Sequence, residues 1–217
     1  MSARFTEPTD RYAHEVLGDA IEYGGLELKV GDASSQNRTT VVKIRLPLDR
    51  VFEDLVPRLA DVDGDGLPEA VVVETQIDTG AQLAIYDTTG AKLVATPHIG
   101  RSNRWLAPAG IADLDGDGHI ELAYVDRPHL AKTLRIWRYA DRQLREIAAL
   151  PGLTNHRIGE DFITGGLRQC GERPELILVS GDWRRIVSVS FDRSAGWQVN
   201  DRGAFKGPSS VQSALEC

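Results

Sequence analysis

The chain has 217 residues, 41% of them hydrophobic, and a formal charge of -7 at pH 7. That is enough apolar material for one sizeable core or a few repeated units, and it sets the chain apart from disordered sequences. The acidic balance argues against a nucleic-acid binder, which carries a basic surface, and no apolar run approaches the roughly 20 residues that cross a bilayer as a helix.

The first stretch, MSARFTEPTDRYAHE, holds no apolar segment able to act as a secretion signal. Either the protein stays inside the cell, or Met1 opens a trimmed form. A front unit follows, HEVLGDAIEYGGLELKVGDASSQNRTTVVKIRLP, which ends like a strand. Next comes ADVDGDGLPEAVVVE, Ala60 to Glu74, an acidic and glycine-rich loop running straight into valines, and its near copy ADLDGDGHIELAYVD occupies Ala112 to Asp126. From Asp61 to Asp113 the offset is 52 residues. A third copy, LRQCGERPELILVS, keeps the Pro-Glu and the apolar run but has Leu167, Gln169 and Gly171 where the aspartates stood, so it lacks the same ligands.

Within a unit the pattern reads as four short strands, LVPRLADV, EAVVVE, AQLAIYD and KLVATP, each bounded by Gly, Asp, Asn or Pro. Helical periodicity of useful length is found nowhere. Four-stranded antiparallel units recurring about every 50 residues match the blades of a β-propeller, whose small sheets bury their faces only against their neighbours. The expected fold is therefore all-β: a single small propeller of four blades of four antiparallel strands, with units near 11–49, 50–102, 103–155 and 156–217. A β-sandwich or an open stack of sheets is the alternative.

With Asp61 as position 1, carboxylates fall at 1, 3, 5 and 9 (Asp61, Asp63, Asp65, Glu69), with Gly66 at position 6 and the carbonyl of Leu67 at position 7. The second copy offers Asp113, Asp115, Asp117, the carbonyl of His119, and Glu121. Alternating oxygen donors around a glycine turn follow the ligand logic of calcium loops. An EF-hand would need a glutamate at position 12, where the chain has Val72 and Tyr124. Solvated acidic turns are the plainer reading, but four carboxylates gathered within a few ångströms repel one another unless a cation sits among them. Two divalent ions would move the formal charge from -7 to -3.

D-x-D-x-D-G-x-x-[DE] before a β-strand, repeated at this spacing, resembles the FG-GAP/VCBS repeats of integrin α subunits and many bacterial extracytoplasmic proteins. The resemblance covers the two strong loops with their strands, and the third copy less well. It implies a propeller with a calcium ion in each acidic loop, two in all, between the first and second strands of a blade. It says little about activity. A cytosol poor in calcium would leave such loops empty, so the resemblance points to a periplasmic or secreted protein.

Strand parity puts another set of loops at the opposite end of the blades. These carry His98, Arg101, Arg104, Trp105, Arg127, His129, His156, Arg157, Trp183 and Arg184. Clustered aromatic, Arg and His residues on loops suit a binding rim; Trp105 and Trp183 suit blade packing equally well, and the separate histidines lack local zinc spacing. The expected function is a calcium-stabilised, non-catalytic module that binds a protein or glycan. The alternative is a glycan-directed hydrolase or lyase using Glu53, Asp54, Glu160 or Asp161 near His156. Finally, Cys170 lies in the loop that lost its aspartates and Cys217 ends the sequence. A disulfide between them would staple the unit that has no metal clamp and requires an oxidising compartment; two unrelated thiols are the alternative.

Overall fold

The valines after the first acidic loop do not alternate with polar residues because the strand that contains them is covered on both faces: Val71, Val72 and Val73 are all fully buried. A computed structural model describes residues 1–31 and 39–217; the DASSQNR stretch of the front unit, 32–38, lies outside the described residues. The architecture is mostly β, with every strand pairing antiparallel, and the chain divides into two compact units, Met1–Trp105 and Leu106–Cys217.

The first unit contains β1 (Ser2–Thr9), β2 (Glu22–Gly31), β3 (Thr39–Arg45), β4 (Arg50–Phe52), β5 (Arg58–Ala60), β6 (Glu69–Gln76), β7 (Gly80–Tyr86) and β8 (Lys92–Ala95). Strand β2 pairs with β1 and β3, and a single pair, Tyr23 with Phe52, passes the sheet on to β4. The front unit thus has three strands among the described residues, not the expected four, and its first strand lies ahead of residue 11. Strands β4 and β5 share one edge of β6, while β7 and then β8 continue on the other. Leu26, Leu28, Phe52, Ala70, Val72, Ala84 and Tyr86 form the core of this unit.

The strand along this edge of β6 is split into β4 and β5: Glu53 N still donates to Val73 O at 3.1 Å, but Asp54–Pro57 leaves the ladder, and Pro57 has no amide hydrogen to offer. The Asp54 carboxylate fills the gap. It accepts from Val73 N at 3.1 Å and from Leu55 N at 2.8 Å, and it pairs with Arg58 at 2.7 Å.

The second unit contains β9 (Leu106–Ala112), β10 (Ile120–Asp126), β11 (Thr133–Ala140) and β12 (Gln143–Pro151), a four-stranded meander in chain order. A further sheet follows: β13 (Leu153–Thr154) and β14 (Gly166–Arg168) share one edge of β15 (Glu175–Ser180), and β16 (Arg185–Asp192) and β17 (Gly196–Ala204) complete it. Leu114, Val125, Ile136, Leu176, Leu178 and Val189 pack between the two sheets.

A C-terminal helix, α1 (Pro208–Leu215), corrects the expectation that the chain has no helix. Pro208 stands in its first turn, where a missing amide hydrogen costs nothing. Val211 is buried with Ile177, Val179 and Ile186, and Ala214 O accepts from Arg168 at 2.7 Å. The helix carries Cys217 to Cys170, and the two form a disulfide with a Cα–Cα distance of 5.4 Å. The chain end is thereby fastened to the loop between β14 and β15.

The disulfide closes a separation of 47 residues, which corresponds to about 4 kcal/mol by the chain-entropy relation. Cys170→Ser with Cys217→Ser is expected to lower the stability of the second unit by that order in chemical denaturation, with little effect on the first. Equal denaturation midpoints with and without the bond would contradict its role as a staple.

Candidate metal centres

Both acidic loops join one strand to its antiparallel neighbour: residues 61–68 connect β5 to β6, and residues 113–119 connect β9 to β10. In the first, Asp61 organises the turn by accepting from Gly64 N at 2.8 Å and from Gly66 N at 3.0 Å. Gly64 and Gly66 have φ of +76° and +87°, a left-handed backbone that side-chain-bearing residues avoid. Asp63 accepts from Asp65 N at 3.2 Å, and Asp65 from Leu67 N at 2.7 Å. The second loop repeats this scheme. Asp113 takes Gly116 N at 2.7 Å and Gly118 N at 3.0 Å, and Asp117 takes His119 N at 2.9 Å.

A glutamate in the first two positions of the following strand points back into each loop. Glu69 accepts from Val62 N at 2.9 Å and Glu121 from Leu114 N at 2.8 Å. Carboxylate oxygens of Asp61, Asp63 and Glu69 lie within 4.8 Å of one another, as do those of Asp113, Asp115 and Glu121. Asp65 and Asp117, expected at position 5, stand outside these triads and close their own turns.

The donors are oxygen only and gathered around one point, which fits a hard divalent cation such as calcium. Glu69 supplies the sharpest observation. It is 3% exposed, and among the described residues no basic side chain forms an ion pair with it or with Asp61, Asp63 or Asp65. Burial pushes its carboxyl above the ordinary range; the Val62 amide opposes this, while Asp63, Asp65 and Asp61 push it further up. A buried carboxylate among like charges is stable in its ionised form only with a cation nearby.

The second loop differs through a residue that sequence reading missed. Arg138 stands on β11 directly opposite Glu121. Its guanidinium bonds Glu121 at 2.9 Å and Asp117 at 2.8 Å, and also Asp115. Burial still pushes the Glu121 carboxyl up, with Arg138 and Leu114 working against it. In the third copy, Arg168 and Arg202 hold Glu175, the latter at 3.0 Å, and Cys170 lies in the loop. Burial alone would raise Glu175, but hydrogen bonds from Ser188, Arg168 and Arg202 outweigh it and hold the carboxyl low.

The residues expected on a binding rim divide between the two units. In the first unit, Arg101 is exposed and Arg104 half-buried, while His98 bonds Gly80 O at 2.7 Å. Trp105 is a packing residue instead of an exposed platform: it is buried, and its indole N–H donates to Glu53 O at 2.8 Å. In the second unit, exposed Arg157 stacks 4.1 Å from the Trp183 ring centroid, and Trp183 meets Phe205 edge to face at 5.3 Å. His156 is fully buried, its Nε2 donating to Glu160 O at 2.9 Å and its Nδ1 lying 3.0 Å from His129 Nε2. Burial lowers the basicity of His156, with the Glu160 carbonyl and carboxylate working against it. Arg127 is engaged with Asp126, and exposed Arg184 with Asp182.

Of the acids in the hydrolase reading, Glu53 and Asp54 are buried and engaged within the sheet. Glu53 is fully buried with its two oxygens on His14 and Thr75, each at 2.5 Å. Asp54 closes the gap between β4 and β5. Glu160 accepts from Arg157 N at 3.3 Å, and Asp161 is exposed.

A sheet protein built from recurring strand units, with oxygen-donor loops at the heads of successive second strands, is the class that this geometry defines. Residues 61–124, which span both acidic loops, are an FG-GAP-like repeat. No curated protein and no solved structure matches the chain.

Near Glu53, burial pushes the Glu22 carboxyl up to about 9, with Glu53, Asp19 and Asp54 adding to the effect. Between the ordinary carboxylate value and about 9 the folded chain therefore retains a proton that the unfolded chain has released, and stability falls as pH rises through that window. Glu22→Gln is expected to remove this slope, so its Tm advantage over wild type should be larger at about pH 8 than at about pH 5, by roughly 5 °C. An advantage that is the same at both pH values would contradict the shift.

Proposed function

We propose that this protein is a calcium-stabilised, non-catalytic β-propeller that acts outside the cytoplasm as a binding module for a protein or glycan. The observation that carries the calcium reading is Glu69: a buried carboxylate, facing two aspartates and lacking an ion-pair partner among the described residues, inside a segment that is an FG-GAP-like repeat. The set Asp61, Asp63, Asp65, Glu69 and the Leu67 carbonyl would hold one calcium, and Asp113, Asp115, Asp117, Glu121 and the His119 carbonyl a second. Bound there, calcium would supply charge compensation and fasten the loop to the head of the strand behind it.

Three sets of strands, over 50–95, 106–151 and 153–204, repeat one plan in which an inner strand leads to three more. This repetition supports blades of a propeller, with β1 to β3 as the front unit. The disulfide supports an oxidising compartment, where calcium is plentiful. Of the rim residues, Arg157 with Trp183 and Phe205 offers the best-formed platform: a guanidinium lying over an aromatic face that is itself backed by a second ring. The hydrolase alternative is less well supported, because Glu53 and Asp54 are buried and engaged in the sheet.

Calorimetric titration of the chelated protein is expected to return two calcium ions per chain, and Asp63→Ala with Asp115→Ala none. At a hundredfold excess over Kd each ion should add about 2.7 kcal/mol to stability. Full stability in chelator would contradict the structural role. Arg157→Ala should weaken binding to the natural partner while leaving the calcium-dependent Tm unchanged; a matching loss of both would place Arg157 in the packing instead.

A further inference from the structure

The two acidic loops share a sequence pattern, but their surroundings are not alike. Each offers four carboxylates at positions 1, 3, 5 and 9. In the first loop none of the four is ion-paired among the described residues. Ala70 on β6 pairs with Tyr86 on β7, and the residue after Tyr86 is Asp87, an acid engaged with Thr89 and Ala91 in its own turn. In the second loop the corresponding place opposite Glu121 belongs to Arg138. Its fork spans three of the four carboxylates: Glu121, Asp117 and Asp115. Arg173 approaches from another side, donating to the Asp115 carbonyl at 3.2 Å, and its side chain packs against Gly116.

From this we infer that Arg138 is a built-in counter-cation of the second loop, which makes the two sites unequal: the first is the high-affinity calcium site, and the second binds calcium only in competition with the guanidinium. The inference rests on the reading of both loops as calcium sites.

Two effects act together. The guanidinium is bonded to carboxylates that the divalent ion would draw on, so metal entry competes with the bonds to Asp115, Asp117 and Glu121. A fixed positive charge within the cluster also repels an incoming cation. The same bonds hold the second loop together when calcium is scarce, whereas the first loop has no such substitute. Arg138 thus sets the calcium range over which the second loop responds, and it lets the second unit stay ordered where the first loosens.

The test uses the full-length chain and calcium itself as the probe, followed by titration calorimetry. Asp115→Ala isolates the first site and Asp63→Ala the second. The second site is expected to be weaker by about tenfold or more, the scale of one charge-assisted hydrogen bond given up when the metal enters. Adding Arg138→Gln to Asp63→Ala should then tighten the remaining site by about tenfold. Where that variant fails to fold even in excess calcium, Arg138→Lys carries the test: it keeps the charge without the fork and should tighten the site by a smaller factor. Equal affinities in the two single variants, or an Arg138 change that leaves the second site as it was or weakens it, would overturn the inference while leaving the calcium reading intact. Absence of binding at both sites would overturn the calcium reading, and this inference with it.

Discussion

One glutamate at the head of a strand, buried in two repeats and half-buried in the third, sets the terms for each repeat. Glu69, Glu121 and Glu175 occupy equivalent places at the starts of β6, β10 and β15. Glu69 and Glu121 each accept an amide hydrogen from the loop before the strand. That bond fastens the loop to the strand, but it places a carboxylate where water cannot fully solvate it, and a buried charge is costly unless paired. On the proposed function the chain meets this constraint in three ways: with a metal ion held by the oxygen donors of the first loop, with the same donors plus Arg138 in the second, and with Arg168 and Arg202 in the third.

The missing aspartates of the third copy, at Leu167, Gln169 and Gly171, are compensated nearby. Two guanidinium groups neutralise Glu175, and the Cys170–Cys217 bond fixes the loop that a metal would otherwise shape. Helix α1 belongs to the same arrangement. Its buried Val211 and the Arg168 bond to Ala214 O seat the chain end so that Cys217 reaches Cys170.

Much of this was legible in the sequence because it depends on local spacing. The D-x-D-x-D-G pattern with its glutamate predicts loop and strand together, since every group involved lies within nine positions, and Gly66 signals the left-handed turn that the structure contains. Strands β6, β7 and β8 follow from the short apolar runs EAVVVE, AQLAIYD and KLVATP between turn residues. The Cys170–Cys217 pairing was also readable from position, as only two cysteines exist. What sequence reading missed depends on partners distant along the chain. Arg138 meets Glu121 through the register of the β10–β11 hairpin, 17 residues away; counting pairs outward from the turn at 127–132 would have found it. Trp105 reads as a loop aromatic because its partner, the Glu53 carbonyl, is 52 residues distant. Eight residues opening on Pro-Ser-Ser-Val carry too short a period to announce α1, and the break between β4 and β5 is bridged by a side chain, Asp54, that the alternation of strands does not reveal.

On this account each of these glutamates needs a cation, and the three repeats obtain it from different sources. Native-state hydrogen exchange, read segment by segment in excess calcium and again after chelation, tests it most directly. Chelation should cost segment 60–74 the most protection, segment 112–126 less, and segment 166–180 none. Equal loss in all three segments, or no loss in any, would contradict the account.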